Sequence, residues 1–200
     1  MNYNFIAPYY DVLSRISFLN QQQKAHEIIL NHLISNDKIL WLGGGSGWFF
    51  EEMDQLNLNL EIDYIEFSTV MMKKAKSRKV KNLKVNFISE DLMVYDIRST
   101  YDVILTAFIF DHFEPSDCRL IMNKYEPFLK DKGKWIYIDF TQNQNLIQRL
   151  ITKSMVTFFT IVAKIKTKDF PKIEYLFDQF ELIAEQRYFR NYIVSRVYKK

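Results

Sequence analysis

The turn Gly43-Gly44-Gly45-Ser46-Gly47 is the sharpest chemical signal in this sequence, because it takes up most of the chain's five glycines. Glycine admits positive φ and lets a ligand touch the backbone. The first N–H groups of a helix opening from such a turn favour a carboxylate or a phosphate. Two familiar phosphate cradles are excluded. The dinucleotide fingerprint Gly-x-Gly-x-x-Gly would put its last glycine at Trp48 or Phe50, and the Gly-Lys-Ser/Thr of a phosphate loop is absent. What remains is Gly43-x-Gly45-x-Gly47, a tight turn with no cradle for a pyrophosphate. A purely structural turn is the alternative reading.

A second signal follows at Ile65-Glu66-Phe67-Ser68. An acid at the end of the second strand of a doubly wound fold hydrogen-bonds ribose hydroxyls, about 20 residues after the glycine turn. Glu66 lies 19 residues past Gly47. The bland alternative is an exposed acid at a strand end. A third group is Asp111-His112, in the loop Ala107-Phe108-Ile109-Phe110-Asp111-His112-Phe113. A histidine titrates near 6.5 and can accept a proton at cellular pH. His112 is therefore the candidate general base, with Asp111 orienting it or binding an acceptor. The rival roles are a cap for the helix from Ser116 and a simple loop acid. His26 and His32 lie on the first helix, near the edge of its apolar stripe, and read as surface or packing residues. Three scattered histidines and one cysteine, Cys118, form no zinc arrangement, so no metal site is expected.

These residues need a scaffold, and the pattern supplies one. Helix Gln21 to Leu33 carries Ala25, Ile29 and Leu33 at spacing four. Strands are expected at Lys38 to Leu42, Leu60 to Ile65, Val85 to Ile88, Tyr101 to Thr106 and Lys134 to Phe140. Helices are expected at Trp48 to Leu56, Ser68 to Lys79 with Ser68 as cap, and Ser116 to Leu129, then a turn at Asp131-Lys132-Gly133. Alternating strands and helices argue for a parallel sheet covered on both faces. A helical segment from about Asn145 to Lys166 and a shorter one over Pro171 to Gln179 follow. Phe180 to Tyr188 and Tyr192 to Tyr198 then read as strands. Only three residues join this last pair, too few for a parallel crossover, so they must be antiparallel. The expectation is one α/β domain over residues 1–200, doubly wound, with a mostly parallel seven-stranded sheet and an antiparallel last strand.

With 200 residues, 48% hydrophobic and 26% charged, the chain can close a real core. A single cysteine excludes a disulfide framework. No signal-peptide pattern and no run of 18 uncharged apolar residues is read, so a cytoplasmic protein without a membrane span is expected. The net charge is +3. The basic run from Lys73 to Lys84 reads as a solvated helix face rather than a nucleic-acid surface, because it carries no interleaved aromatic residue.

Taken together, these motifs resemble the class I S-adenosylmethionine-dependent methyltransferases, especially their small-molecule branch. Gly43, Gly45 and Gly47 match the family's first motif, and Glu66 the acid that binds both ribose hydroxyls. Ser68 to Ala75 resembles the stretch opening the next helix, which implies that Phe67 and Met71 flank the adenine. Phe87 to Leu92 matches the segment whose Asp, here Asp91, bonds the adenine amino group, with the Leu92 backbone N–H beside it. Tyr101 to Thr106 resembles the fourth strand, with Thr106 taken as a cofactor contact. Leu129 to Lys134 resembles the turn before the fifth strand, and Pro8-Tyr9-Tyr10-Asp11 an N-terminal element whose Tyr10 covers the methionine end of the cofactor. Glu90 departs from the pattern, because the family often has Gly there; it puts a second charge near the adenine edge. A Rossmann-like fold, an S-adenosyl-L-methionine cofactor and a methyl transfer are what the resemblance implies.

The acceptor side is read from two apolar segments. Leu146 to Ile165 is hydrophobic beyond one helical stripe, so it must cover a second surface besides the sheet. That surface is an acceptor pocket, a homodimer contact or the edge of an anionic membrane, the last through Arg149, Lys153, Lys164, Lys166 and Lys168. Tyr3, Phe5, Tyr9, Tyr10 and Phe18 supply a lid wall or ordinary core. The acceptor expected is a small apolar or aromatic molecule attacked through O, N or C, and no nucleic acid. Two rivals stand beside this reading: a cofactor-binding partner protein without catalysis, and a nicotinamide-dependent oxidoreductase.

Overall fold

The structure is a computed structural model that describes residues 21–141, 145, 146, 148–150, 152, 153, 157 and 170–200. Tyr10, the N-terminal aromatic cluster and most of the apolar segment Leu146 to Ile165 lie outside the described residues. Among the described residues, seven strands form one sheet in the order β3-β2-β1-β4-β5-β7-β6. They are β1 (Lys38–Leu42), β2 (Leu60–Ile65), β3 (Leu83–Ile88), β4 (Tyr101–Ala107), β5 (Leu129–Phe140), β6 (Glu181–Tyr188) and β7 (Ile193–Lys199). The first five run parallel, and β7 inserts antiparallel between β5 and β6. The doubly wound sheet with a reversed last strand is therefore present.

Alternating side chains of the strands feed two cores. Ile39 and Trp41 of β1 face a cluster built with α1 (Gln21–Leu30), α2 (Phe50–Asp54) and α3 (Thr69–Lys76). Leu40 and Leu42 face the other, built with α4 (Pro115–Tyr125) and the aromatic residues Phe177 and Phe180. Strands buried on both faces are continuous apolar runs, which is why Lys-Ile-Leu-Trp-Leu makes β1. Helix α1 packs against β5, β6 and β7. It is fixed there by Ser195 Oγ, which donates to the Ala25 carbonyl at 2.8 Å.

Several elements are shorter than the periodicity predicts. Helix α1 ends at Leu30. Helix α2 starts at Phe50 rather than Trp48, because positive φ at Gly43, Gly45 and Gly47 keeps the chain out of helical geometry through the turn. Helix α3 ends at Lys76, and Ser68 caps it by accepting from the Met71 N–H at 3.3 Å. The expected turn at Asp131-Lys132-Gly133 is instead absorbed into β5 as a register shift against β4, with Lys132 at φ 63°. The helix expected over Pro171 to Gln179 is a 3-10 turn at Glu174–Phe177. In the described part of the long apolar segment, Asn145 and Gln148 exchange side-chain and backbone hydrogen bonds as a helix-starting box. Gln148 Nε2 also donates to the carbonyls of Phe189 and Arg190, which docks this segment's start on the β6–β7 turn. Among the described residues no helix is long and apolar enough to cross a membrane.

Candidate functional site

A cavity opens at the carboxyl ends of β1, β2, β3 and β4, where the strand order reverses and doubly wound sheets bind ligands. Gly43, Gly44, Gly45, Ser46 and Trp48 form its floor after β1; Glu66, Phe67, Ser68 and Met71 one wall; Glu90, Asp91 and Leu92 the adjoining edge. Ala107, Phe108, Ile109, His112 and Phe113 form the wall beyond β4. Gln22, Gln23 and His26 of α1 close that side.

The glycine turn is shaped by close packing on one side and openness on the other. Gly44 lies so near the Tyr64 ring that a Cβ there would come within 2.0 Å of it. Gly45 has φ +67° and no atom within 4 Å of where a Cβ would stand. That combination demands glycine and leaves its bare backbone facing the cavity. The N–H groups of Gly43 and Gly44 donate to the Ile65 carbonyl, and that of Gly45 to Glu66 Oε2 at 2.9 Å. The next helix does not open directly from the turn at Trp48, as its pattern predicts. Helix α2 begins later, and the Phe50 N–H donates to the Gly47 carbonyl. Gly47 itself packs on Phe50 and Ala75 and is not among the cavity-lining residues.

Glu66 turns towards the glycines. Its Oε1 accepts from the Ser68 N–H at 2.6 Å, so the carboxylate bridges the ends of β1 and β2. Burial pushes its pKa up, and the N–H groups of Ser68, Gly45 and Phe67 oppose that push. Phe67 is 54% exposed beside it, whereas Met71 is buried. Asp91 Oδ1 accepts from the Met93 N–H at 2.9 Å. Tyr125 Oη and Lys124 Nζ both donate to the Leu92 carbonyl, at 2.6 and 3.0 Å, and pin that loop to α4. Thr106 lies elsewhere. It is buried, its hydroxyl accepts from Trp135 Nε1 at 3.0 Å, and it does not line the cavity, so its side chain serves the core.

The wall beyond β4 is held by a residue the sequence pattern does not single out. Asp139, buried near the end of β5, accepts from the N–H groups of Phe110, Asp111 and Phe140 at 3.0, 3.3 and 2.8 Å. It fixes the 3-10 turn Phe110–His112. Phe108, just before that turn, sits at φ 51°, an uncommon conformation for a non-glycine residue and one typical of functional sites. His112 lines the cavity, while Asp111 is buried behind it with Oδ1 3.6 Å from His112 Nε2. The N-cap residue Glu114 makes no side-chain cap hydrogen bond to α4, whose first helical residue is Pro115. Burial lowers the His112 pKa to about 4 and raises both Asp111 and Asp139, the latter raised further by the neighbouring Asp111.

His26 was expected at the surface or in packing, and the structure puts it in the cavity wall. Its ring lies 4.9 Å from that of Trp48, 5.2 Å from Phe49 and 5.7 Å from Phe108. Nδ1 is 2.8 Å from the Gln22 carbonyl. Burial lowers its pKa to about 4. Only the adjacency of α1 to the β1 turn, invisible in helical periodicity, brings it here.

Comparison with known proteins agrees with this geometry. A family model described as "Methyltransferase domain" matches residues 39–133, from β1 to the start of β5. The carboxy-S-adenosyl-L-methionine synthase of Nautilia profundicola is 28% identical over 128 residues, covering 62% of this chain and 54% of that protein. A malonyl-[acyl-carrier protein] O-methyltransferase of Bacillus anthracis is 33% identical over 147 residues, covering 70% and 51%. The chain thus spans about half the length of these curated relatives. A solved structure described as the DhpI–SAH complex superposes with a TM-score of 0.72 over 98% of this chain and 92% of that one, at 14% identity, a likeness of fold. The matched domain, which spans just under half of the chain, and the sheet order support a class I S-adenosylmethionine-dependent methyltransferase.

Proposed function

We propose that this chain transfers a methyl group from S-adenosyl-L-methionine to a small, neutral acceptor. The observation that carries the reading is Glu66 Oε2 at 2.9 Å from the Gly45 N–H, beside an open face of the glycine turn. A carboxylate held there can take both hydroxyls of a ribose. The cavity residues suit the rest of the cofactor. Phe67 and Met71 offer apolar faces for an adenine, and Asp91 keeps Oδ2 for its amino group. Glu66, Glu90 and Asp91 give the cavity an acidic lining that favours a cationic sulfonium ligand. Tyr10 is proposed as its cover.

The bound cofactor supplies an electrophilic methyl group, and the chain supplies position and proton handling. Asp139 holds the turn that presents Ile109 and His112, and the aromatic wall of Trp48, Phe108 and Phe113 excludes water. His112 is the proposed base, with Asp111 behind it. Its low pKa makes it a weak one, suited to an acceptor proton already acidified by the departing electron pair. A malonyl acceptor, as the name of one relative prints, is the second reading. The acidic lining disfavours an anionic acceptor, and among the described lining residues none is Lys or Arg. Action in the cytoplasm on a freely diffusing metabolite belongs to the same proposal. Incubation with methyl-labelled S-adenosylmethionine and a small-molecule extract tests it. Labelled product supports the reading. Cofactor binding with no product from any extract favours a non-catalytic partner protein.

A further inference from the structure

We propose that His26 is a contact for the methyl acceptor, taking a hydrogen bond at Nε2 from an O–H or N–H at or beside the attacking atom. This deepens the methyltransferase reading and rests on it. The sheet order gives the first argument. The cofactor-side residues Glu66, Phe67 and Asp91 follow β2 and β3, on one flank of β1. Helix α1 packs over β5, β6 and β7, on the other flank, so His26 reaches the cavity from the acceptor side. Its ring neighbours Trp48 and Phe108 belong to the loops after β1 and β4, and both line the cavity.

The tautomer gives the second argument. A carbonyl can only accept, so the 2.8 Å contact to Gln22 requires the proton on Nδ1. A neutral imidazole with Nδ1–H carries its lone pair at Nε2. Burial among Trp48, Phe49 and Phe108 keeps the ring neutral at cellular pH. Such a group recognises a donor and offers nothing to a carboxylate. The acceptor class that follows is an alcohol, phenol or amine, and a carboxylate is rejected.

Nuclear magnetic resonance of protein with 15N-labelled histidine, saturated with S-adenosylhomocysteine, reads the ring directly. Between about pH 6 and 8, Nδ1 of His26 should resonate as a protonated nitrogen and Nε2 as an unprotonated one. Phenol, used as a neutral donor probe, should move the Nε2 resonance; benzoate should not. His26→Phe keeps a ring among its aromatic neighbours and should bind phenol about tenfold more weakly, with S-adenosylhomocysteine affinity unchanged. His26→Gln, which restores an acceptor atom, should recover part of the phenol affinity. A protonated Nε2, an equal response to benzoate, or phenol affinity indifferent to His26→Phe overturns this inference alone. So does a tenfold loss of S-adenosylhomocysteine affinity in that variant, which would assign His26 to the cofactor. Wild-type protein that binds no S-adenosylhomocysteine overturns the functional reading and this inference together.

Discussion

Mild acid should weaken this fold through the buried histidines of its cavity wall. His26 and His112 have pKa values lowered from 6.5 to about 4, in both cases by burial. A base whose folded pKa is depressed contributes its full stability above the unfolded value and loses it as pH falls towards the folded one. At about pH 5 the unfolded imidazole is nearly all protonated and the folded one nearly all neutral. At about 1.4 kcal/mol per unit over about 1.5 units, each histidine then costs roughly 2 kcal/mol. The buried Asp111–Asp139 pair titrates the other way, since carboxyls with raised pKa give stability that is lost as pH rises. Only the difference between wild type and a single-histidine variant isolates the term. Urea unfolding of wild type and His26→Phe, followed by tryptophan fluorescence at about pH 7.5 and 5, should show wild type losing roughly 2 kcal/mol more than the variant. Equal losses would refute the claim that the fold holds His26 neutral.

Other perturbations probe the neighbouring parts. Gly45→Ala places a Cβ in the open space of the turn at φ +67°, so thermal denaturation should register a strain of about 1–2 kcal/mol. The same methyl should weaken S-adenosylhomocysteine by roughly 5- to 150-fold in a binding titration. Asp139→Ala strands the N–H groups of Phe110, Asp111 and Phe140, and chemical denaturation should show a loss of about 1–3 kcal/mol for each donor left unpaired. His112→Ala should slow methyl transfer about 10²-fold with cofactor affinity retained, and a rate unchanged across pH would reduce His112 to a wall residue.

Much of this arrangement is legible in the sequence because its signals are local. The bounds of β1 follow from an apolar run that ends at Gly43, those of β2 from apolar residues alternating with Glu61 and Asp63 up to Glu66, and the acid's distance from the turn places both at one end of the sheet. The antiparallel pairing of β6 and β7 follows from the shortness of their link. Features that depend on tertiary contact are not legible. Asp139 reads as one more residue of a buried strand until the Phe110–His112 turn folds over it. His26 sits at the edge of a helical stripe, and nothing in α1 announces Trp48 or Phe108 as its neighbours. Thr106 stands at the correct strand end, but strand alternation turns its hydroxyl to Trp135. The short α2 and the bulged start of β5 both arise where backbone with positive φ overrides propensity.

The central claim is that Glu66 and the glycine turn hold the ribose of S-adenosylmethionine rather than a dinucleotide. Isothermal titration of wild type and Glu66→Ala with S-adenosylhomocysteine and with NAD tests it most directly. Wild type should bind S-adenosylhomocysteine and not NAD, and the folded variant should lose roughly 1.5–3 kcal/mol of that affinity. Binding of NAD alone, or an affinity for S-adenosylhomocysteine indifferent to Glu66, would contradict it.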